Sequence, residues 1–203
     1  MIEKFCTYLT KKIREKMPEI DDERADVINY GLQNIVGEFP KIIIVIILGF
    51  LLGIGKLTLL NFIILGVYRS FAGGVHAKSH IGCIVSTSLM FCLPPVLSKL
   101  FVMDNLFKFL IIIAVWVFGV IMIKLYAPAD TENVPILRKK ERKQKQILSY
   151  VVLTIELIIA AFINNSVISN MIIISMFLET ITITRVTYKL FDNKYGYEVY
   201  NES

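Results

Sequence analysis

Long apolar blocks separated by short polar stretches are the main pattern along this chain. A helix needs about 17–25 mostly apolar residues to cross the hydrocarbon core of a bilayer. Four blocks meet that requirement, at about 80–97, 105–123, 147–163 and 167–184. Each of them is therefore predicted to form a membrane-spanning helix.

The stretch over residues 39–68 is also apolar, with only two charged side chains, both lysines. As one straight helix it would be roughly 45 Å long, which exceeds the thickness of the hydrocarbon core. The sequence GIGK that begins at Gly53 is a turn signal near its middle. We therefore expect two short spans, over about 40–54 and 57–70, and six spans in all.

Residues 1–38 are more polar and contain no long apolar run, so no cleavable signal peptide is expected. Apolar residues recur there at helical spacing in two sets: Ile2, Phe5, Leu9 and Ile13, then Ile28, Leu32, Ile35, Val36 and Phe39. Such spacing predicts amphipathic helices on the cytoplasmic face of the membrane. They either pack on that face or line a vestibule for a peptide substrate.

Composition supports the same fold class. Of 203 residues, 55% are hydrophobic and 19% charged, whereas a soluble domain is usually about 45–50% apolar and about 25% charged. This excludes an ordinary soluble enzyme, a disordered tail and a nucleic-acid-binding domain with a basic folded surface. We predict an all-α integral membrane protein with a cytoplasmic prefix (1–38), a transmembrane domain (39–190) and a short cytoplasmic tail (191–203).

The placement of lysine and arginine predicts the orientation. With six spans and a cytoplasmic N-terminus, most basic residues fall in the inner segments 1–39, 71–79 and 124–146 and in the tail. This agrees with the positive-inside tendency, so both termini are expected in the cytoplasm. The basic run from Arg138 to Lys145 either anchors the protein to anionic lipid or attracts an acidic segment of a peptide.

The candidate chemistry lies in one inner segment, RSFAGGVHAKSHIGC, which covers residues 69–83 and contains both histidines. Cysteine and histidine can form a nucleophile and its base, but the residues alone also allow a structural role or a metal-binding pair. The three cysteines are too scattered for a disulfide framework, and no CxxC, HExxH or GxxxxGK[ST] pattern is present. We therefore expect no metal and no cofactor.

Helix geometry separates the two histidines. In a continuous helix His80 would meet Cys83 on one face, whereas His76 would lie about 10 Å from it. His76 can act only if the helix begins near Ser79, a good N-cap residue, and the preceding Gly73-Gly74 pair bends the chain. A cysteine in the first turn of such a helix would feel the positive end of the helix dipole, which favours the thiolate.

The segment RSFAGGVHAKSHIGC, together with YAPADTENVPI at 126–136 and the basic run after it, resembles the accessory gene regulator B family of membrane peptidases. The specific part is the spacing Arg-x(4)-Gly-x-His-x(6)-Cys. It maps onto Arg69, Gly74, His76 and Cys83. The resemblance implies that His76 and Cys83 are the catalytic pair, with Arg69 and Gly74 in support. His80, from its spacing to Cys83, and Asp130, from its place on the inner side, are further candidates for a supporting role.

The resemblance also implies a function in Gram-positive peptide quorum sensing. Such a protein would cut an amphipathic pro-peptide, keep the upstream part as a thioester on Cys83 and release it as a cyclic thiolactone or lactone. Arg138, Lys139 and Lys140 would bind an acidic recognition segment of the peptide. The expected partners are this peptide, membrane lipids and a second copy of the chain, and the expected location is the cell membrane.

Other polar residues carry weaker expectations. Asp130 either orients His76 or, as its loop position favours, is an exposed acid. Glu156 should face the bundle, because an ionisable group inside the membrane is costly. Glu179 and Arg185 are expected to extend towards the membrane surface. Two other functions stay open: a small transporter or exporter of peptides, and a membrane-anchored adaptor or sensor without chemistry.

Overall fold

The computed structural model describes residues 2–77, 79–101, 103–132 and 134–201. Helices account for nearly all regular structure in these ranges: α1 (Ile2–Lys16), α2 (Asp22–Leu51), α3 (Gly55–Ala72), α4 (His80–Leu100), α5 (Asn105–Tyr126), α6 (Lys139–Phe162), α7 (Ser166–Thr182), α8 (Arg185–Leu190) and α9 (Gly196–Asn201). Only isolated bridges represent β-structure in the described ranges. The predicted all-α class is confirmed.

Four of these helices are long and apolar enough to cross a membrane: α2 over Arg24–Leu51, α4 over Ile81–Leu100, α5 and α6. α7 is apolar but shorter, at 17 residues. α3 has 18 residues and includes a buried asparagine. The membrane-protein class is confirmed, and the total of six spans stays a prediction.

The chain divides into two compact units, Met1–Val45 and Ile46–Ser203. In the first unit, Arg14 of α1 forms an ion pair with Asp22 (2.6 Å) and donates to the carbonyl of Ile20 (3.2 Å). The predicted second prefix helix and first span form one helix, α2, which continues through Pro40. The predicted boundary at residue 38 therefore lies inside a helix.

The predicted turn between the first two spans is present. Gly53 has φ = 70°, a left-handed conformation that favours glycine. Its N–H donates to the carbonyl of Phe50 (3.0 Å), and α3 begins two residues later at Gly55. A local glycine signal is thus sufficient to end α2.

α7 lies at the centre of the second unit and contacts α3, α4, α5 and α6. Its apolar residues Met171, Ile172 and Met176 are buried in the main core. Buried polar side chains also follow its length: Ser169, Asn170, Ser175, Glu179, Thr180 and Thr182. Because polar groups inside a bundle need partners, these residues determine which neighbours α7 can accept.

Asn61 on α3 provides hydrogen bonds for two backbone carbonyls of α4 that lack a partner within their own helix. Pro94 and Pro95 lie inside α4 and have no N–H for the carbonyls four residues earlier, at Met90 and Phe91. The Asn61 amide donates to both carbonyls, at 3.4 Å and 3.1 Å. Its own oxygen accepts a hydrogen bond from Ser175 of α7 (2.6 Å). One buried asparagine therefore connects three helices.

α6 begins at Lys139, earlier than the predicted span, so the basic run forms its first turns. Two side chains one turn apart connect this extension to the end of α5. Gln146 donates to the carbonyl of Ile123 (3.0 Å), and Arg142 donates to the carbonyl of Pro128 (3.2 Å). Arg142, a member of the basic run expected to contact either lipid or an acidic peptide segment, therefore packs inside the protein.

Candidate active site

The segment that carries His76 begins with a sharp bend after α3. Gly73 and Gly74 have φ values of 76° and 146°, which L side chains rarely adopt. A Cβ atom on Gly73 would lie 2.2 Å from the carbonyl oxygen of Ala129. Glycine is therefore required at these positions for the backbone conformation, and at Gly73 also for the close approach of the Ala129 backbone.

Backbone hydrogen bonds hold this bend against two other parts of the chain. Ala129 donates to the carbonyl of Ala72 (2.8 Å) and accepts from the N–H of Gly74 (2.9 Å). The N–H of Val75 donates to the carbonyl of Thr182 at the end of α7 (3.2 Å). The two motifs that carry the resemblance, 69–83 and 126–136, are therefore adjacent in the fold.

The helix that carries Cys83 begins only after the bend. Ser79 is the N-cap of α4: its hydroxyl accepts from Gly82 (3.0 Å) and its carbonyl from the N–H of Cys83 (2.9 Å). The predicted cap is confirmed, and the helix does not extend back to His76. The first condition for a catalytic His76, a helix that begins near Ser79, is therefore met, and the pairing of His76 with Cys83 stays a prediction.

The two candidate catalytic residues differ in exposure. The Cys83 side chain is buried, in the first turn of α4, with its sulfur 4.0 Å from the Thr87 hydroxyl. His76 is exposed, and its backbone carbonyl accepts a hydrogen bond from Asn193 (2.7 Å). His80 is the first residue of α4, and its side chain lies outside the described residues.

Arg69 lies directly behind the bend. Its guanidinium donates to Glu179 (2.8 Å) and to the carbonyl of Val75 (2.7 Å), with a longer contact to the Thr182 hydroxyl (3.5 Å). The side chain of Glu179 is completely buried. The expectation that Glu179 extends towards the membrane surface is therefore wrong, because its buried carboxylate pairs with Arg69 inside the protein.

Arg185, grouped with Glu179 in that expectation, follows the end of α7 and lies in α8. It forms an ion pair with Glu198. Glu156 on α6 is partly buried. The position of Glu179 inside an apolar segment is a signal that such a residue is buried and paired. This signal does not show that the partner is Arg69.

Asp130 is not the exposed acid that its loop position suggested. Its side chain is fully buried, forms an ion pair with Arg142 (3.2 Å) and accepts from the N–H of Ile136 (2.8 Å). These contacts fold the 128–136 loop onto the start of α6. Asp130 supports the backbone that holds the bend, and neither of these two partners is His76.

Arg138, Lys139 and Lys140 lie at the start of α6 with exposed side chains. They therefore form a cationic surface next to the 128–136 loop. Sequence reasoning missed the separate role of Arg142 in the same run, because nothing in a basic cluster distinguishes a paired arginine from its exposed neighbours.

Tyrosines from the C-terminal segment complete the support of this loop. Tyr188 and Tyr195 stack at 4.1 Å between ring centroids, and the Tyr188 hydroxyl donates to the carbonyl of Asp130 (3.0 Å). The Tyr195 hydroxyl donates to the carbonyl of Ile183 (2.8 Å). Burial raises the pKa of both tyrosines, so both remain neutral donors. No pattern in the sequence indicated this packing.

Within the described ranges, no group of three or more histidine, cysteine, aspartate or glutamate residues is placed to hold a metal ion.

The chain is similar to known proteins over almost its whole length. The model of the family "Accessory gene regulator B" matches residues 2–183, which include the bend, Cys83 and the 128–136 loop. The chain belongs to this family. The accessory gene regulator protein B of Staphylococcus aureus is 30% identical over 185 residues, covering 90% of this chain and 91% of the relative.

Another relative of the family is a putative AgrB-like protein of Clostridium acetobutylicum. It is 28% identical over 199 residues, covering 96% of this chain and 91% of its own length. No solved structure matches. Membership in the accessory gene regulator B family thus rests on nearly the whole chain, and the family match ends before α8.

Proposed function

We propose that this protein is a membrane-embedded cysteine endopeptidase that processes a quorum-sensing pro-peptide. The observation that carries the proposal is the break between His76 and Cys83: a bend at Gly73-Gly74 followed by a helix that starts at His80. The break frees His76 from helical spacing and places Cys83 in a first turn. Family membership gives this arrangement its substrate class.

The proposed first step is attack of the Cys83 thiolate on a peptide carbonyl carbon. The carbon–sulfur bond forms as the peptide carbon–nitrogen bond breaks, and His76 gives a proton to the departing amine. Cys83 lies in the first turn of α4, after the N-cap residue Ser79. The upstream part of the peptide is then held as a thioester.

The proposed second step is transfer of this acyl group to a cysteine or serine inside the retained peptide. His76, which is neutral after the first step, takes the proton of the attacking thiol or hydroxyl. The new thioester or ester bond closes a ring as the bond between the acyl carbon and the Cys83 sulfur breaks, and the Cys83 thiolate leaves. Exchange of one thioester for another conserves most of the energy of the original acyl link. Because Cys83 is buried, water is a poor competitor for the intermediate, which favours cyclisation over hydrolysis.

The remaining parts of the proposal concern substrate and location. The exposed cations Arg138, Lys139 and Lys140 would attract an acidic segment of the amphipathic pro-peptide. We further propose that this end of the bundle and both termini face the cytoplasm of a Gram-positive cell, and that the protein acts as a homodimer.

The acyl-enzyme provides the direct test of the function. Purified protein mixed with its pro-peptide should give a covalent adduct that hydroxylamine releases and mass spectrometry detects. Cys83→Ala should remove both adduct and cleavage, whereas the matched variants Cys6→Ala and Cys92→Ala should retain them. Cleavage by Cys83→Ala would show that Cys83 is not the nucleophile, and the proposed cysteine-peptidase mechanism would then be wrong.

The histidine assignment is tested separately. Loss of a general acid–base histidine typically reduces the rate by about 10²–10⁴-fold. We expect this loss for His76→Ala in a timed cleavage assay, and most of the activity should remain in His80→Ala. The reverse result would return the catalytic role to His80, the residue that helical spacing favours.

A further inference from the structure

The side chain of Arg69 is the point at which α3, α7 and the His76 segment meet. One guanidinium nitrogen donates to Glu179, and the other donates to the carbonyl of Val75, the residue before His76. Glu179 lies 110 residues away in the sequence and is completely buried. Arg69 is thus fixed at one end by a buried carboxylate and holds the active-site segment at the other.

We propose that Glu179 is a positioning residue that fixes the His76 segment through Arg69. An arginine has a long flexible side chain, and an opposing carboxylate reduces the number of positions that its guanidinium can occupy. With Glu179 in place, the second arm of the guanidinium points at the Val75 carbonyl. The consequence for catalysis rests on the peptidase function proposed above.

The end of α7 supports the same segment by a second route. Thr182 accepts a contact from Arg69 at its hydroxyl, and its backbone carbonyl accepts the N–H of Val75. Residues Glu179 and Thr182, one helical turn apart, therefore hold Val75 by side chain and by backbone. Gly74 leaves the space for this contact, because a Cβ there would lie 2.8 Å from the Arg69 guanidinium.

A purely structural role of the ion pair between Glu179 and Arg69 would have different consequences from a positioning role. If Glu179 only stabilised helix packing, its neutral variant would melt earlier but would place His76 as before. If it positions the segment, the loss appears locally in residues 73–77 and in the rate of the chemical step. Misplacement of a catalytic group by about 1 Å can reduce a rate by about 10²-fold.

The test compares Glu179→Gln with Glu156→Gln, the matched change at a glutamate on α6 that is partly buried. Amide exchange by mass spectrometry should be faster in the 73–77 peptide of Glu179→Gln and unchanged in Glu156→Gln. For cleavage of the pro-peptide, kcat should fall by about 10–100-fold for Glu179→Gln with KM within about twofold. Glu156→Gln should match the wild type.

Arg69→Lys keeps the charge but has one donor group instead of two arms, so it tests the same contact if Glu179→Gln fails to fold. It should also speed exchange in 73–77 and lower kcat. The double variant Arg69→Lys/Glu179→Gln should have the same kcat as Arg69→Lys alone, because Glu179 acts on the segment only through Arg69. Additive losses would overturn the proposal.

The two proposals fail in different ways. Unchanged exchange in both Glu179→Gln and Arg69→Lys would overturn the positioning role, whatever the activity. Faster exchange with unchanged kcat would also overturn it, while Cys83-dependent cleavage would leave the peptidase function intact. If cleavage does not depend on Cys83, the peptidase function fails, and the exchange measurement still decides whether Glu179 holds the segment.

Discussion

The Gly73-Gly74 bend is connected to two buried carboxylates, Asp130 and Glu179, and each of them pairs with an arginine. Asp130 pairs with Arg142 within one continuous stretch of chain and also accepts a backbone N–H. Glu179 pairs with Arg69 from a different helix. In each pair one carboxylate oxygen has no hydrogen-bond partner among the described residues.

The two ion pairs stabilise different segments of the chain. The Asp130 pair folds its own loop, and that loop offers Ala129 to the backbone of the bend. The Glu179 pair contacts the His76 segment itself, through the Arg69 donation to Val75. The Asp130 pair thus stabilises the loop backbone that contacts the bend, whereas the Glu179 pair acts on the residue next to the proposed catalytic histidine.

The glycines divide in the same way. A Cβ on Gly73 would collide with the backbone of Ala129, on the Asp130 side. A Cβ on Gly74 would collide with side-chain atoms of Thr182 and Arg69, on the Glu179 side. Changes on the first side are therefore expected to affect mainly stability, and changes on the second side to affect activity in addition to stability.

The largest expected effect is on stability, from Asp130→Ala. Removal of the carboxylate leaves the partly buried Arg142 guanidinium and the N–H of Ile136 without this acceptor, and the loss of hydrogen bonds to a buried charged group should cost about 3 kcal/mol. Unfolding in detergent micelles would measure this change. Glu132→Ala, an exposed acid two residues later, is the control and should be close to neutral. Equal stability of the two variants would contradict the Asp130 assignment.

A second experiment separates the glycines. The backbone of Gly73 (φ 76°, ψ −153°) lies in a region used almost only by glycine, so Gly73→Ala should cost about 1–3 kcal/mol before its collision with Ala129. Gly74→Ala is also strained, because Gly74 has φ = 146°, and its methyl group would in addition displace the Arg69 guanidinium, so it should lose activity as well as stability. Melting and cleavage would be measured in parallel.

The control for both glycine variants is Gly66→Ala. Gly66 lies inside α3, and a Cβ there meets nothing within 4 Å. Its replacement by alanine should be neutral or stabilising by up to about 1 kcal/mol. If Gly74→Ala were as harmless as Gly66→Ala in the cleavage assay, the contact between Arg69 and the bend would not matter for catalysis.

The smallest expected effect concerns Tyr197, whose ring lies 4.2 Å from the Arg142 guanidinium. Tyr197→Leu should cost about 0.5–1 kcal/mol of stability through loss of this cation–π contact. Tyr197→Phe keeps the ring and should retain the cation–π part of the stability in the same unfolding measurement. A similar loss in both variants would assign the effect to the hydroxyl instead.

Local signals predicted much of this structure. The turn at Gly53, the N-cap at Ser79 and the bend at Gly73-Gly74 each depend on the backbone preferences of one or two residues, which sequence shows directly. The break between α3 and α4 followed from these signals. The merger of the second prefix helix with the first predicted span did not, because Pro40 was compatible with either arrangement.

The buried ion pairs could not be predicted in the same way. Glu179 and Arg69 are 110 residues apart, and only the packing of α7 against α3 brings them together. Asp130 is followed by polar residues that are typical of an exposed loop, and its burial depends on Arg142 and on tyrosines of the C-terminal segment. Pairing over such distances is a property of tertiary structure, which periodicity and composition do not contain.

The asparagine that serves α4 has a consequence for membrane insertion. Alone in lipid, α4 would expose the carbonyls of Met90 and Phe91, and an unpaired polar backbone group there costs several kcal/mol. Asn61 reaches both only if α3 is already beside α4. The two helices are therefore expected to leave the insertion machinery as a hairpin, to which α7 is added later through Ser175.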